Sequence, residues 1–171
     1  AVYCLSEDAN NRTKIGAAGG CEAVTAALGK HAAVDLMAAV LQWNTGSEAV
    51  AEWGCAAIHK LAAQHIEHPP KLAQAGACEA VVRALHKYTS SDSAALSACR
   101  CIVTLAREIP TAKEIMGAAG ACTAIVNVLQ HHIGNGLVIE WACLAADILA
   151  AMHDENTIRL GDAGACDHLS V

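Results

Sequence analysis

Apolar residues recur at three- and four-residue spacing along much of the chain, which is the spacing of one face of a helix. In residues 47–63, Val50, Ile58 and Leu61 share such a face, and Ser47 can cap the start of the helix. No segment shows the strict alternation of apolar and polar residues that a half-buried strand requires. The pattern therefore predicts an all-helical fold.

Shorter helices separate the long ones. Pro69 and Pro70 suit the first turn of a short helix, and Gly76 suits its stop or a tight turn. Residues 77–88 then form a medium helix with one apolar side, and residues 89–93 form a polar turn. The predicted unit is a short helix, a glycine turn, a medium helix, a polar loop and a long helix.

This unit repeats with a period of 44 residues. A period in the range of roughly 20 to 50 residues indicates a solenoid, a propeller or a comparable array, and the lack of strand alternation removes propellers and leucine-rich repeats. Three sets of residues keep the same place in successive units: Gly76, Gly120 and Gly164; Leu41, Leu85 and Leu129; Leu61, Leu105 and Leu149.

The period also sets the expected domain organisation, which is a single array. We divide it into a partial repeat 1–9, an irregular long repeat 10–65, complete repeats 66–109 and 110–153, and a truncated repeat 154–171. Neither end shows the polar capping repeat that a solenoid needs for solubility. We therefore expect this chain to be a fragment of a longer array.

One interval breaks the period. Cys21 and Cys78 hold equivalent places but lie 57 residues apart, 13 more than one period. The irregularity lies near residues 29–40. Either the second helix is extended or doubled over residues 21–43, or a third helix and the following first helix are missing from this stretch. Both interpretations fit the sequence.

The repeated motifs resemble those of the armadillo repeat family. Its first helix ends near Ala-Gly, as at Ala75–Gly76 and Ala119–Gly120, and its second helix carries Val or Ile and Leu on the inner side, as in residues 81–85. Its third helix ends in an Ala-x-x-x-Leu-Ala pattern, which "AAIHKLA" and "AADILA" follow. The resemblance covers essentially the whole chain and implies a right-handed α-solenoid. HEAT repeats are the nearest alternative, but they have two helices per unit, and the glycine turn after a short helix favours the armadillo type.

The resemblance also implies where a partner binds. In armadillo proteins the third helices line a concave groove, along which a partner lies as an extended peptide. By position, these helices are residues 47–63, 93–106 and 137–150. The groove residues that follow are Glu52, Trp53, Lys60, Ser97, Arg100, Thr104, Glu140, Trp141 and Leu144.

Two tryptophans stand out in this set. Trp141 repeats the position of Trp53 two periods later, and Glu140 repeats Glu52. One interpretation is that they hold an extended peptide of basic character, because tryptophan is enriched at binding hot spots. The other is that each tryptophan fills a gap between adjacent third helices, because this residue is usually largely buried.

The sequence departs from the nuclear-import adaptors of this family, which grip the peptide backbone with a Trp and an Asn on the third helix. Recognition of nuclear localisation signals is therefore not expected. The Trp place holds Ala56, Arg100 and Leu144, and the Asn place holds Lys60, Thr104 and Ile148.

Composition excludes several other functions. The chain of 171 residues has a net charge of −6 and no cluster of Lys and Arg, so we do not expect it to bind nucleic acid. No stretch is long and apolar enough for a membrane span, and no signal peptide is visible. We expect a cytoplasmic protein, with the nucleus and the cytoskeleton as alternatives.

Nine cysteines and nine histidines raise the question of disulfides and metal. Cys78, Cys122 and Cys166 are 44 residues apart, so we expect one recurring buried packing place and reduced thiols, with a disulfide framework as the alternative. His65 with His68, and His131 with His132, lack the further ligands that a zinc site needs. We expect these histidines to be solvated, with no metal and no cofactor.

No catalytic motif is present: the sequence contains no GxSxG, Walker loop, GxGxxG after a strand or HExxH. The sequence thus favours a non-catalytic scaffold or adaptor that binds a protein or peptide. The alternatives are a regulatory arm of a larger signalling enzyme and a structural subunit of a cytoskeletal or ciliary assembly. Further repeats or domains of its own chain are also expected as partners.

Overall fold

The computed structural model describes residues 37–42, 46–64 and 67–165 of the chain. Of these residues 81% are helical and none lies in a strand, which confirms the all-helical prediction. The helices are residues 37–42 (α1), Glu48–Gln64 (α2), His68–Gln74 (α3), Ala77–Lys87 (α4), Asp92–Glu108 (α5), Ala112–Ala118 (α6), Ala121–His131 (α7), Gly136–Ala150 (α8) and Asp154–Asp162 (α9).

Polar caps begin the three long helices α2, α5 and α8. Ser47, Ser91 and Asn135 each accept a hydrogen bond from the backbone N–H three residues further on, at 3.5, 3.3 and 3.4 Å. Each cap satisfies one of the N–H groups that a helix start leaves unpaired. The three caps hold the same place in the 44-residue period.

Gly76 and Gly120, both in the left-handed region, each join a short helix to the medium helix that follows it, and Gly164 follows the short helix α9 in the same conformation. The φ angle is 75° at Gly76, 92° at Gly120 and 87° at Gly164. An L side chain is strained in this region, whereas glycine adopts it freely. This local requirement explains why the same glycine returns in each period.

Helices that hold the same place in successive units are neighbours. The long helix α5 packs against α2 on one side and α8 on the other, and the medium helices α4 and α7 pack together. The leucines that recur in the period point into the core between these helices. All six are buried: Leu41, Leu85, Leu129, Leu61, Leu105 and Leu149.

Side-chain hydrogen bonds join the starts of neighbouring long helices. Ser91 Oγ donates to Glu48 Oε1 at 2.6 Å, and Asn135 Nδ2 donates to Asp92 Oδ2 at 2.9 Å. In both cases the cap of one long helix contacts the first residue of the preceding long helix. The same bond therefore recurs at two successive junctions.

The prediction that His132 is solvated is wrong. Its side chain is 4% exposed, with Nδ1 2.7 Å from Asp92 Oδ1 and Nε2 2.6 Å from the carbonyl oxygen of Thr89. Both acceptors belong to the preceding unit, so the imidazole is buried where the two inter-helix loops meet.

The prediction of a solvated loop is also wrong for His68, which is buried at the first position of α3. Its Nδ1 lies 2.8 Å from the carbonyl oxygen of Leu61 in the last turn of α2. Carbonyl groups in the last turn of a helix lack intrahelical partners, and this imidazole supplies one. His65 lies outside the described residues.

The irregular stretch near residues 29–40 is described only from residue 37 onward, as part of α1. The partial repeat 1–9 and residues 166–171 of the truncated repeat lie outside the described part of the chain.

Over the described ranges, no single helix has the length and apolarity to cross a membrane. The helices α6 and α7, bent by 71° relative to each other, reach that length and apolarity when they are taken together.

Candidate functional site

The predicted groove residues lie on α2, α5 and α8, the three long helices that pack side by side. None of them is fully buried, and Lys60 and Glu140 are exposed while the others are half-buried. We call this set the third-helix face: Glu52, Trp53, Lys60, Ser97, Arg100, Thr104, Glu140, Trp141 and Leu144.

The two tryptophans occupy equivalent positions on the outer helices of this face, and Ser97 occupies the same position on the middle helix. Packed helices are separated by about 8–10 Å, so two such spacings, roughly 16–20 Å, separate the axes of α2 and α8. Trp141 also packs against the hydrophobic core. It therefore combines the packing role and an accessible surface, which the sequence alone presents as alternatives.

Arg100 stacks on Trp141 across the junction of α5 and α8. Its guanidinium carbon lies 4.9 Å from the centroid of the indole ring, which is the geometry of a cation–π contact. The Nε atom of Arg100 is buried and has no hydrogen-bond partner. The contact places the guanidinium over the indole ring.

A hydrogen-bonded chain connects Arg100 to α2. The Thr104 hydroxyl donates to the carbonyl oxygen of Arg100 at 3.1 Å, and its oxygen lies 2.7 Å from His59 Nδ1. Because the hydroxyl proton is already committed, Thr104 accepts from His59 Nδ1–H. This network assigns the proton of the neutral imidazole to Nδ1 and leaves Nε2 as an acceptor.

Burial lowers the pKa of His59 from 6.5, and the nearby Arg100 and Lys60 charges lower it further. The imidazole is therefore neutral at pH 7 and gains its charge at a more acidic pH than a free histidine.

Sequence analysis does not single out His59, because the positions one and two periods later hold Val103 and Asp147. The period draws attention to residues that recur, and this histidine belongs to one unit alone. The equivalent places hold a buried Val103 and an acidic Asp147, so the position carries no consistent signal.

The acids of the face have different surroundings. Glu52 Oε2 accepts a hydrogen bond from Ser93 Oγ at 3.0 Å, so this carboxylate is already engaged between α2 and α5. Glu140 is exposed on α8. The charged groups that act on His59 are the cations Arg100 and Lys60.

Thiol chemistry has no support at the described cysteines. Burial raises the pKa of Cys55, Cys78 and Cys99 to about 12 and that of Cys101 well above its usual value. Cys78 lies near the start of α4, where a helix favours the thiolate, yet desolvation by burial dominates. These side chains behave as small apolar core residues.

Within residues 37–42, 46–64 and 67–165, no group of three or more His, Cys, Asp or Glu side chains has an arrangement that could hold a metal ion.

Comparison of the chain with protein-family models, with curated proteins and with solved structures finds no match. The face is therefore interpreted from its own residues.

Proposed function

We propose that this chain is a non-catalytic protein-interaction scaffold of the armadillo type, forming a right-handed α-solenoid in the cytoplasm. In this proposal an extended segment of a partner protein lies across the third-helix face, perpendicular to α2, α5 and α8. The packing of α5 between α2 and α8 supports it, as do the equivalent cap bonds Ser91–Glu48 and Asn135–Asp92, which keep successive long helices in one register.

The observation that carries the proposal is the row of accessible side chains at one place in the period. Trp53, Ser97 and Trp141 are all half-buried, while Leu61, Leu105 and Leu149 on the same helices are buried in the core. Large half-buried aromatic side chains beside a small residue give a surface with both anchors and space, which is typical of hot-spot regions.

The helix spacing defines how a partner segment would fit. Neighbouring packed helices lie about 8–10 Å apart, and an extended chain advances roughly 3.3 Å per residue. A segment crossing the face therefore places about three residues over each long helix. Ala56 and Leu144, which are equivalent positions on α2 and α8, would contact partner residues about six apart.

Photo-crosslinking tests this geometry. A photoreactive phenylalanine analogue is placed at Ala56, at Leu144 and, as the control, at Arg83, which is exposed on the medium helix α4. We expect the first two positions to crosslink one contiguous partner segment, at sites about six residues apart. Peptide mass spectrometry locates both sites.

Two results would contradict the proposal. Crosslinks from Ala56 and Leu144 that fall on distant parts of a folded partner would show that no extended segment crosses the face. Crosslinking at Arg83 that equals or exceeds that of both test positions would place the partner on another surface.

A further inference from the structure

Arg100 lies on the middle helix of the third-helix face and has no anionic partner there. Among the described residues no carboxylate is within ion-pair distance of its guanidinium, and its Nε lacks any hydrogen-bond partner. A half-buried guanidinium whose donors are not all paired is left with part of its desolvation cost uncompensated. The covered Nε is out of a ligand's reach, but acceptors supplied to the terminal Nη groups would form new charge-assisted hydrogen bonds that offset part of this cost.

The neighbours of Arg100 add positive charge to the same area. Lys60 is exposed on α2, and both Lys60 and Arg100 act electrostatically on His59. Glu52 is engaged with Ser93, and Glu140 is exposed on α8. The charge of Arg100, on the middle helix, thus favours an acidic segment over a basic one at this place.

We propose that the partner segment is acidic, and that the guanidinium of Arg100, held on Trp141, binds an Asp or Glu side chain of that segment. This inference rests on the proposed function, since it names the chemistry of the segment that crosses the third-helix face. It replaces the basic peptide that Glu52 and Glu140 suggest in the sequence.

The geometry suits a carboxylate. A guanidinium presents its N–H donors in one plane and binds a carboxylate through two parallel hydrogen bonds. The contact with the Trp141 ring positions the guanidinium and uses none of its hydrogen-bond donors. Because Nε is covered, we expect the two terminal Nη groups to make the contact.

His59 makes the same site sensitive to pH. Its Nδ1 is engaged with Thr104, so Nε2 is the atom that takes up a proton. The protonated ring adds a cation beside Arg100 and Lys60, and a bound carboxylate stabilises that cation. Affinity for an acidic segment is therefore expected to rise as the pH falls from 7.5 to 5.5, a range in which Glu side chains stay mostly ionised.

The test is a titration of the 171-residue chain with three synthetic decapeptides, in which Ser alternates with Glu, with Gln or with Lys. Two-dimensional ¹H–¹⁵N NMR follows the Trp indole signals and the Arg Nε–H signals. We expect the Ser-Glu peptide to shift the signals of Trp141 and Arg100, with a Kd that Arg100→Gln raises about tenfold. Arg100→Lys should give an intermediate Kd, because lysine keeps the positive charge but lacks the planar pair of N–H donors.

Arg83→Gln is the matched control, because it removes the same charge from the surface of α4 and should leave the Kd unchanged. His59→Gln should reduce the gain in affinity between pH 7.5 and 5.5. Circular dichroism shows whether each variant keeps the helix content of the parent chain, and Arg100→Lys provides the test if Arg100→Gln does not fold.

The outcomes separate the two proposals. Binding of the Ser-Lys peptide to this face in preference to Ser-Glu would overturn the acidic segment and leave a peptide-binding face intact. Ser-Glu binding that is equally tight in Arg100→Gln and Arg83→Gln would also overturn it. If no peptide shifts these signals up to about 1 mM, the acidic segment is refuted, and crosslinking at Ala56 and Leu144 then decides the proposed function by itself.

Discussion

Asn156 donates a hydrogen bond from its side-chain Nδ2 to the carbonyl oxygen of Leu149 at 3.1 Å. Two periods earlier, His68 makes the equivalent contact to the carbonyl oxygen of Leu61 at 2.8 Å. In both units a buried polar side chain at the start of a short helix pairs with the last turn of the preceding long helix. Different side chains therefore perform one structural task.

In the middle unit a backbone N–H, and not a side chain, pairs with the equivalent leucine carbonyl oxygen. Ala112 holds the position equivalent to Asn156 and has no donor in its side chain. There the N–H of Ile109 donates to the carbonyl oxygen of Leu105 at 2.9 Å, so that group is already paired. In the last unit the N–H of His153 donates to the carbonyl oxygen of Ala150 instead. The carbonyl oxygen of Leu149 is therefore left for Asn156.

Replacing Asn156 should destabilise the last unit. The side chain is fully buried, and its Nδ2 donates to the carbonyl oxygens of Lys113 at 2.9 Å and Leu149 at 3.1 Å. Asn156→Ala removes both of these buried hydrogen bonds, so we expect the free energy of unfolding to fall by about 2–3 kcal/mol. Urea unfolding followed by circular dichroism measures this change.

Ile158→Ala is the matched control for that experiment. Ile158 is 63% exposed on the same helix, so its truncation should change the free energy of unfolding by less than about 0.5 kcal/mol. Equal losses in the two variants would show that the buried amide has no special role.

The left-handed glycines predict a contrast between two Gly→Ala substitutions. At Gly120 the φ angle is 92°, and an added Cβ would lie 2.9 Å from His86 Nε2. We expect Gly120→Ala to lower the free energy of unfolding by about 1–2 kcal/mol. Gly136, at the first position of α8, has open space around an added Cβ, so Gly136→Ala should be neutral or stabilising. Urea unfolding of both variants decides; equal effects would contradict the strain argument.

The depressed pKa of His59 predicts that stability falls on acidification. The folded chain keeps this imidazole neutral, mainly because of burial, while the unfolded chain protonates it near pH 6.5. The unfolded state then binds more protons, so the free energy of unfolding decreases as the pH falls below about 6.5.

Thermal unfolding of the parent chain and of His59→Gln between pH 7.5 and 5.5 measures that contribution. We expect the variant to lose less stability than the parent chain over this range. His131→Gln is the control, since it removes an exposed imidazole at the end of α7. A steeper loss in His59→Gln would contradict the assignment.

Burial predicts which thiols react. Cys143 is half-buried, whereas Cys55, Cys99 and Cys101 are fully buried, and burial raises the pKa of each of these three thiols. Since the thiolate is the nucleophile, iodoacetamide at pH 8 should label Cys143 well before the other three. Peptide mass spectrometry of a time course gives the order. Rapid labelling of Cys99 in the folded chain would contradict its buried position in the core. As a control, the same reaction in guanidinium chloride shows that every thiol can be labelled once the chain is unfolded.

The sequence determined the local features of this protein. Helix boundaries near Glu48, Asp92 and Gly136 follow from caps and apolar spacing, and the turns at Gly76 and Gly120 follow from the need for glycine at positive φ. The leucines that recur in the period lie on the apolar sides of their helices, so the apolar spacing also indicated that they are core residues. Each of these properties depends on residues within a few positions along the chain. The sequence of a single unit is therefore enough to reveal them.

Only the tertiary structure decided which side chains meet across neighbouring units. It buried His68 and His132, which the sequence predicted to be solvated, and it placed Arg100 on Trp141 and His59 against Thr104. Partners about one period apart come together only when the long helices pack in a particular register. That register depends on the summed packing of many small side chains, so no short stretch of sequence encodes it.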